Sequence, residues 1–226
     1  MSARDTILGR VRASLNASPG DMARQKAVDQ RLKKAAPGVI PARGQLPPAE
    51  RVALFAEMAA KLSASVEHVR KAADVPKAVT EYLRGRNLPS AVRMGADPRL
   101  AAMPWARQRA LELRFGPSDG DDEAGVSHAM AAIAETGTLV MTSGAENPTT
   151  INFLPEHHIV VVEAADIEGD LETVLARIRK AYGKGRMPRT VNLISGPSRS
   201  GDIEQKIILG AHGPRALHII VVGDEA

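Results

Sequence analysis

Hydrophobic and polar residues alternate along the second half of the chain in a way that predicts strands and one strong helix. Four runs rich in β-branched residues, bounded by glycine or proline, cover residues 132–142, 159–163, 191–195 and 217–222. Residues 171–182 place Leu171, Val174, Leu175 and Ile178 on one side of a helix. Strands separated by helices need crossover connections, so the pattern predicts an α/β protein with an open, mostly parallel sheet and helices on both faces.

The region before residue 125 continues this alternation. Apolar residues recur at helical spacing from Pro48, which suits a first helical turn, and the polar and apolar positions of residues 65–69 alternate like a strand. The spacing predicts helices over 48–62, 75–86 and 98–103, strands over 65–69, 91–94 and 111–115, and an acidic loop over 116–125.

The N-terminal region predicts two helices followed by a linker. Residues 2–15 carry Ile7, Leu8, Val11 and Leu15 on one side, residues 24–35 are basic and tolerate a helix, and residues 36–48 hold too many prolines and glycines for a regular element. We therefore expect residues 1–45 to form a helical extension with a linker and residues 46–226 to form the α/β domain. The extension either docks on a partner or serves as a flexible tether.

Composition excludes several kinds of chemistry. The 226 residues include no cysteine, which rules out disulfides, a thiol nucleophile and an iron–sulfur cluster held by this chain's own thiolates. Charged residues interrupt the first 15 positions, so we expect no signal peptide. The longest apolar runs are too short to cross a bilayer, and we expect a soluble, cytoplasmic protein without membrane insertion.

Charge is divided unevenly between the halves. Residues 1–120 hold 21 Lys and Arg against 11 Asp and Glu, whereas residues 121–226 hold 9 against 15. A basic half is typical of proteins that bind nucleic acid or an acidic partner. Dispersed arginines and an aromatic content of 3% favour a solvated face or a protein contact over nucleic acid.

A first polar loop is a candidate ligand site. No dinucleotide fingerprint, phosphate-binding loop, zinc helix or serine-hydrolase turn is present in the sequence. Small and hydroxyl residues instead follow predicted strands, where open α/β sheets bind ligands. This loop offers Thr136, Gly137, Thr138, Ser143 and Gly144. The alternative is that its glycines serve only a bulge and a turn.

A second polar loop covers residues 195–204 and offers Ser195, Gly196, Ser198 and Arg199. We expect it to open a short helix through residue 208, whose free amides would suit an anion. Asp202 and Glu204 are candidate catalytic carboxylates, although Asp202 alternatively caps that helix.

Histidines supply the remaining candidates. His157 and His158 are adjacent, so on a strand they face opposite sides of the sheet and disfavour a shared metal site. His212 lies in a tight turn before the last predicted strand, and it is either a catalytic candidate or a structural hydrogen bonder.

Four segments together resemble a known family. They are residues 134–138 (Ala-Glu-Thr-Gly-Thr), 154–159 with Leu154, Pro155 and His158, 195–204 (Ser-Gly-Pro-Ser through Asp202-Ile203-Glu204) and 210–214 (Gly-Ala-His-Gly-Pro). Their order and spacing resemble the LUD-domain family, in its lactate utilization protein C branch. The resemblance covers residues 125–223 and adds His158 to the candidate ligand-binding residues.

The resemblance implies a fold related to the CoA-transferase and sugar-phosphate-isomerase superfamily. It also implies a role in oxidising L-lactate to pyruvate beside iron–sulfur partner proteins, with no agreed catalytic role for this branch and no cofactor identified on this chain. The alternative is a free-standing enzyme or ligand-binding protein of the same fold that acts on a nucleotide, CoA or a phosphosugar.

One segment departs from the family pattern. Many relatives carry an arginine-rich stretch before the Leu-Pro pair, whereas residues 147–152 of this chain are Asn-Pro-Thr-Thr-Ile-Asn. This loop therefore lacks a basic contact for a small anionic ligand. We nevertheless expect Ser198, Arg199, Asp202 and His212 to gather at one sheet edge near Thr138 and Ser143, because parallel sheets collect their loops on common edges.

Overall fold

The computed structural model describes residues 2–18, 20–203 and 206–223. Within these ranges, residues 202, 203, 206 and 207 are described by their backbone alone. The chain divides into two compact units, Met1–Val39 and Ile40–Ala226.

Two helices form the N-terminal unit. Helix α1 spans Ala3–Ser14, and Ser2 and Asp5 cap it reciprocally through the Asp5 amide and the Ser2 amide. Helix α2 spans Met22–Lys34 and begins at Asp21, whose carboxylate accepts from the Arg24 amide at 2.9 Å. Neither helix contains a buried residue, so capping and local hydrogen bonds stabilise them more than packing does.

The larger unit alternates helices and strands. Its helices are α3 (Pro48–Lys61), α4 (Val75–Gly85), α5 (Pro98–Ala101), α6 (Thr149–Phe153) and α7 (Leu171–Tyr182). Its strands are β1 (Ser65–Val69), β2 (Ala91–Met94), β3 (Glu112–Phe115), β4 (Ala124–His128), β5 (Ala131–Ile133), β6 (Thr138–Thr142), β7 (His157–Glu163), β8 (Ile167–Glu168), β9 (Val191–Ile194), β10 (Arg199–Ile203), β11 (Lys206–Leu209) and β12 (Ala216–Val222). Among the described residues, no helix is long and apolar enough to span a membrane.

A six-stranded parallel sheet is the centre of this unit. Its strand order is β1-β12-β7-β4-β2-β3, and every pairing in it is parallel. Strands β7 and β12 are buried over nearly their whole length and share runs of Ile and Val, as expected for central strands with both faces covered. The prediction of an α/β protein with a mostly parallel sheet is confirmed.

Alternate residues of the central strands enter two different cores. Ile159 and Val161 of β7 pack with α4 on one face, whereas Val160 and Val162 pack with α3 on the other. Fully burying each such side chain stabilises the fold by about 1.5–3 kcal/mol.

A second, smaller sheet shares the α3 side. Its strand order is β8-β5-β6-β9, with β6 antiparallel to both neighbours, and Leu139 and Met141 of β6 enter the same core as α3. Helix α7 covers the other face of this sheet through Val174 and Ile178. The apolar run at residues 132–142 is therefore a hairpin rather than one strand, turning at residues 134–137.

The segment after the Ser195 loop is also a hairpin. The expected helix through residue 208 is wrong, because β10 and β11 pair in antiparallel fashion. The anion site that free amides of a helix start would provide is thus absent from the described backbone. Two further elements that the pattern did not predict, β4 and α6, bring polar residues to the start of β7.

Part of the predicted linker packs on the larger unit. Gly44 is buried, and a Cβ at this position would overlap the carbonyl of Gly169. Gln45 Nε2 donates to Asp170 Oδ2 at 2.9 Å, and Asp170 also caps α7. Residues 42–45 thus contribute to the packing of this unit.

Candidate functional site

A cavity of about 310 Å³ lies where β7 and β12 begin, and we call it the amino-end cavity. Its walls are α6, the loop after β9 and the turn before β12. Its polar lining residues are Asn152, His158, Ser195, Ser198, Arg199 and His212. Phe153 and Leu193, both partly exposed, add apolar surface. Such a mixture suits a small ligand with a polar end.

The loop after β9 is held against the end of α3. Gly196 has a φ of 80°, and a Cβ there would overlap the Leu62 carbonyl oxygen. Arg199 Nη2 donates to Leu62 O at 2.8 Å and to Ser63 Oγ at 2.6 Å. These bonds use one nitrogen of the guanidinium, and the other N–H donors of Arg199 have no acceptor among the described residues and are available to an anion.

The turn that carries His212 packs on this loop. Ser198 donates its amide to Pro214 O at 2.8 Å, and Gly210 donates its amide to Ser198 O at 3.0 Å. A Cβ at Gly213 would lie 3.3 Å from Ser198 Cβ. Ser198 and His212 therefore sit on one wall of the same cavity, with His212 exposed.

Hydroxyl groups link the first polar loop to Ser195. Thr138 Oγ1 lies 2.7 Å from Ser195 Oγ and 2.7 Å from Thr136 Oγ1. Gly137, with a φ of 64°, lets the turn between β5 and β6 approach the backbone of α3 at Ala59. Three hydroxyls thus form a chain that ends at the cavity wall.

A buried polar network lies behind the cavity. Ser127 Oγ donates its hydrogen to Asn152 Oδ1 at 3.2 Å. His158 Nε2 lies 3.1 Å from the same Ser127 Oγ, and because the hydroxyl hydrogen is already used, Nε2 must be the donor in this second hydrogen bond. Burial lowers the pKa of His158 to about 3. The ring is therefore neutral near pH 7, and its Nδ1 is an acceptor with no hydrogen-bond partner among the described residues.

The structure gathers most of the predicted site residues and separates two. Ser195, Gly196, Ser198, Arg199, His212 and His158 line the amino-end cavity, and Thr136, Gly137 and Thr138 lie next to it. Ser143 and Gly144 follow the opposite end of β6 and line a different cavity. The backbone of Asp202 belongs to β10, and Glu204 lies outside the described residues.

The position of the site differs from the expected one. Loops at the carboxyl ends of parallel strands were expected to form it, yet the cavity lies at the amino ends of β7 and β12. The reason is that β9 belongs to the second sheet and runs antiparallel to β6, which brings Ser195 beside Thr138. His212 reaches the site because it precedes β12, which is parallel to β7.

Sequence patterns missed Ser127 and Asn152. Both are buried, and they meet only because β4 pairs with β7 and α6 folds over this end of the sheet. The one signal in the sequence was the pair of histidines at the start of β7. These do face opposite ways, since His157 Nδ1 contacts Tyr82 OH at 2.9 Å while His158 contacts Ser127.

Comparison with known proteins identifies the family. The LUD domain model matches residues 52–222, which include every described residue that lines the amino-end cavity. The chain belongs to the LUD domain family. A DUF162 family protein from Deinococcus radiodurans, a solved structure, has 24% identity and a TM-score of 0.57, over 79% of this chain and 99% of that one. This structural similarity shows that the two proteins share a fold.

Curated relatives match part of their length. Lactate utilization protein C of Shouchella clausii is 32% identical over 103 residues, 46% of this chain and 45% of that protein. Lactate utilization protein C of Geobacillus thermodenitrificans is 37% identical over 101 residues, 44% of this chain and 42% of that protein. The matched region therefore spans less than half of the length of these relatives.

Proposed function

We propose that this LUD-domain chain is a component of a lactate utilization system and binds a small carboxylate in the amino-end cavity. The observation that carries the proposal is the family match over residues 52–222, which contain the cavity-lining residues. The names of the curated relatives, lactate utilization protein C, support the choice of lactate. In this proposal the protein acts in the cytoplasm.

The cavity has groups suited to a 2-hydroxy carboxylate. The free N–H groups of Arg199 and the hydroxyls of Ser195 and Ser198 would bind the carboxylate. Phe153 and Leu193 would contact the methyl group. His212, at the rim, remains the candidate for proton transfer, and Asp202 and Glu204 remain candidates on sequence grounds alone.

Electron transfer belongs to other chains in this proposal. Oxidation of L-lactate to pyruvate releases two electrons and two protons, and a chain without cysteine offers no thiolate ligands for an iron–sulfur cluster. We therefore assign the electron acceptors to iron–sulfur partner proteins. The role of this chain is to bind or position the organic acid for that assembly.

Growth of a deletion strain on L-lactate as sole carbon source tests the proposal. Loss of growth on lactate, with normal growth on glucose, is expected, and the wild-type gene should restore it. A variant with Arg199→Gln and Ser198→Ala should fail to restore growth. Arg84→Gln, which changes an exposed arginine of α4, should restore it. Normal growth of the deletion strain on lactate would refute the proposal.

Direct binding separates this proposal from a free-standing enzyme of the same fold. A thermal-shift series with L-lactate, pyruvate, CoA and nucleotides should show stabilisation by lactate or pyruvate that Arg199→Gln removes. If CoA or a nucleotide raises the melting temperature and Arg199→Gln abolishes that effect, the amino-end cavity has a different substrate class.

A further inference from the structure

A second cavity, of about 450 Å³, lies at the carboxyl ends of the parallel strands, and we call it the carboxyl-end cavity. Asp97 follows β2, Met130 follows β4, Ser143 follows β6, and Tyr182 ends α7. It shares no lining residue with the amino-end cavity. Its size is ordinary for a small-molecule site, and open parallel sheets bind ligands at this end.

Asp97 and Arg99 form an ion pair in this cavity, and their two charges cancel. Arg99 donates to Asp97 through Nε at 3.0 Å and Nη2 at 2.8 Å, and its Nη1 donates to Ala129 O at 3.3 Å. Burial opposes ionisation of Asp97, but the bonds from Arg99 outweigh it and hold the pKa of Asp97 below its usual value. The pair therefore leaves no net charge for a ligand to meet.

Positive charge comes instead from one loop, residues 183–190, which we call the basic loop. Residues 173–201 contain seven Lys or Arg and no Asp or Glu, within the half of the chain that is otherwise acidic. The loop itself carries Lys184, Arg186 and Arg189, all exposed and without an ion pair among the described residues. Exposed cations without carboxylate partners are available to an anionic ligand.

Both ends of the basic loop are anchored at the carboxyl-end cavity. The loop starts directly after Tyr182, which lines the cavity. It ends at Thr190, whose amide donates to Ser143 Oγ at 2.9 Å and whose carbonyl accepts from the Ser143 amide at 3.0 Å. Since Ser143 also lines the cavity, the loop begins and ends beside the cavity, although Lys184, Arg186 and Arg189 are not among its lining residues. The Ser143 hydroxyl hydrogen has no acceptor among the residues that the structure describes, so it can be donated to a ligand.

We propose that the carboxyl-end cavity binds a phosphorylated small molecule. The basic loop and the Ser143 hydroxyl bind the phosphate, and the organic part occupies the space between Met130 and Tyr182. Glu146, an exposed carboxylate in the lining, opposes the phosphate and limits affinity. This site is separate from the lactate site proposed above and does not depend on it.

Isothermal titration calorimetry of the full chain with ADP, CoA and inorganic pyrophosphate tests this proposal. Binding of ADP or CoA that weakens as salt is raised is expected, because salt screens exposed charges. Lys184→Glu with Arg186→Glu should weaken that binding at least tenfold, and Glu146→Gln should strengthen it. Binding of pyrophosphate as tight as that of ADP and CoA would show that the cavity makes no contribution, and would overturn the proposal.

A matched control has the same change of charge elsewhere. Arg84→Glu with Arg109→Glu alters two exposed arginines that do not line the cavity, and it should leave binding unchanged. Equal loss in this control would mean attraction by net charge and would also overturn the proposal. So would the absence of binding by all three probes. Because Arg199→Gln affects only the amino-end cavity, its effects on lactate binding distinguish the two proposals.

Discussion

At the residue scale, sequence patterns find the polar residues of loops better than those inside the fold. Ser195, Ser198 and Arg199 are visible in the sequence because small hydroxyl and glycine residues cluster after a strand. Ser127 and Asn152 carry no such signal, since one lies inside a buried strand and the other inside a short helix. Their role depends on the pairing of β4 with β7, which is a contact between distant parts of the chain.

Buried histidines predict a loss of stability in mild acid. Burial lowers the pKa of His158 to about 3, and burial followed by the charge of Arg86 lowers that of His218 to about 4. The unfolded chain binds protons near pH 6.5, before the folded chain does, so stability falls from there towards those values. Urea unfolding at pH 7.5, 6 and 5 should show a decrease that approaches about 1.4 kcal/mol per pH unit for each such histidine.

A variant of His218 isolates one of these contributions. His218 stacks on Tyr82 at 4.2 Å between ring centroids, so His218→Phe keeps an aromatic ring there while removing the titrating group. This variant should show a smaller loss of unfolding free energy between pH 7.5 and 5 than the wild type. Burial, and after it the charge of Glu81, raises the pKa of Glu67, so protonation of Glu67 has the opposite effect on stability as the pH falls. An unchanged pH dependence in His218→Phe would contradict the assignment.

At the element scale, the long helices and most parallel strands are predicted well, whereas β4, α6 and the antiparallel hairpins are not. Helix α7 has a regular apolar side that packs on one sheet, and strand β7 has a continuous apolar run because both of its faces are covered. The hairpin of β10 and β11 contains a mixed sequence that also permits a helix, and only its cross-strand pairing decides between them. The sequence pattern also failed to predict the hairpin of β5 and β6, because its turn at Gly137 lies within a run of mostly apolar residues.

The close contact of Gly196 with the end of α3 predicts that a methyl group added at Gly196 destabilises the protein. Gly196→Ala introduces a Cβ at a φ of 80° and against the Leu62 carbonyl, so it should destabilise the protein by about 1–3 kcal/mol. It should also weaken binding in the amino-end cavity, because Arg199 is anchored on the same carbonyl. Thermal unfolding and ligand titration measure the two effects.

The control for this variant is Gly201→Ala. A Cβ at Gly201 meets no atom within 4 Å, and its φ is not positive. Its melting temperature should stay close to that of the wild type. If both alanine variants lose stability equally, the loss comes from the change of residue type and the close approach at Leu62 is not its cause.

At the scale of the whole molecule, the composition and apolar patterns indicate the class of fold but not its layers. A parallel sheet follows from alternating strands and helices, whereas the second sheet shares a core with α3 that no local pattern reveals. The same long-range arrangement explains why one cavity lies at each end of the strands. The order of strands and loops along the sequence therefore predicted ligand sites at one edge of the sheet only, whereas the structure has a cavity at each edge.

The N-terminal helices should be dispensable for folding of the larger unit. Because α1 and α2 bury no residue, deleting residues 2–35 should change the melting temperature by no more than about 2 °C, as expected when only exposed surface is altered. Deleting residues 2–47 should lower it further, since that deletion also removes buried Gly44 and the bond from Gln45 to Asp170. Differential scanning calorimetry of the three proteins compares them directly. A fall of many degrees on the shorter deletion would mean that these helices stabilise the larger unit. An equal melting temperature for both deletions would mean that residues 42–45 add nothing to it.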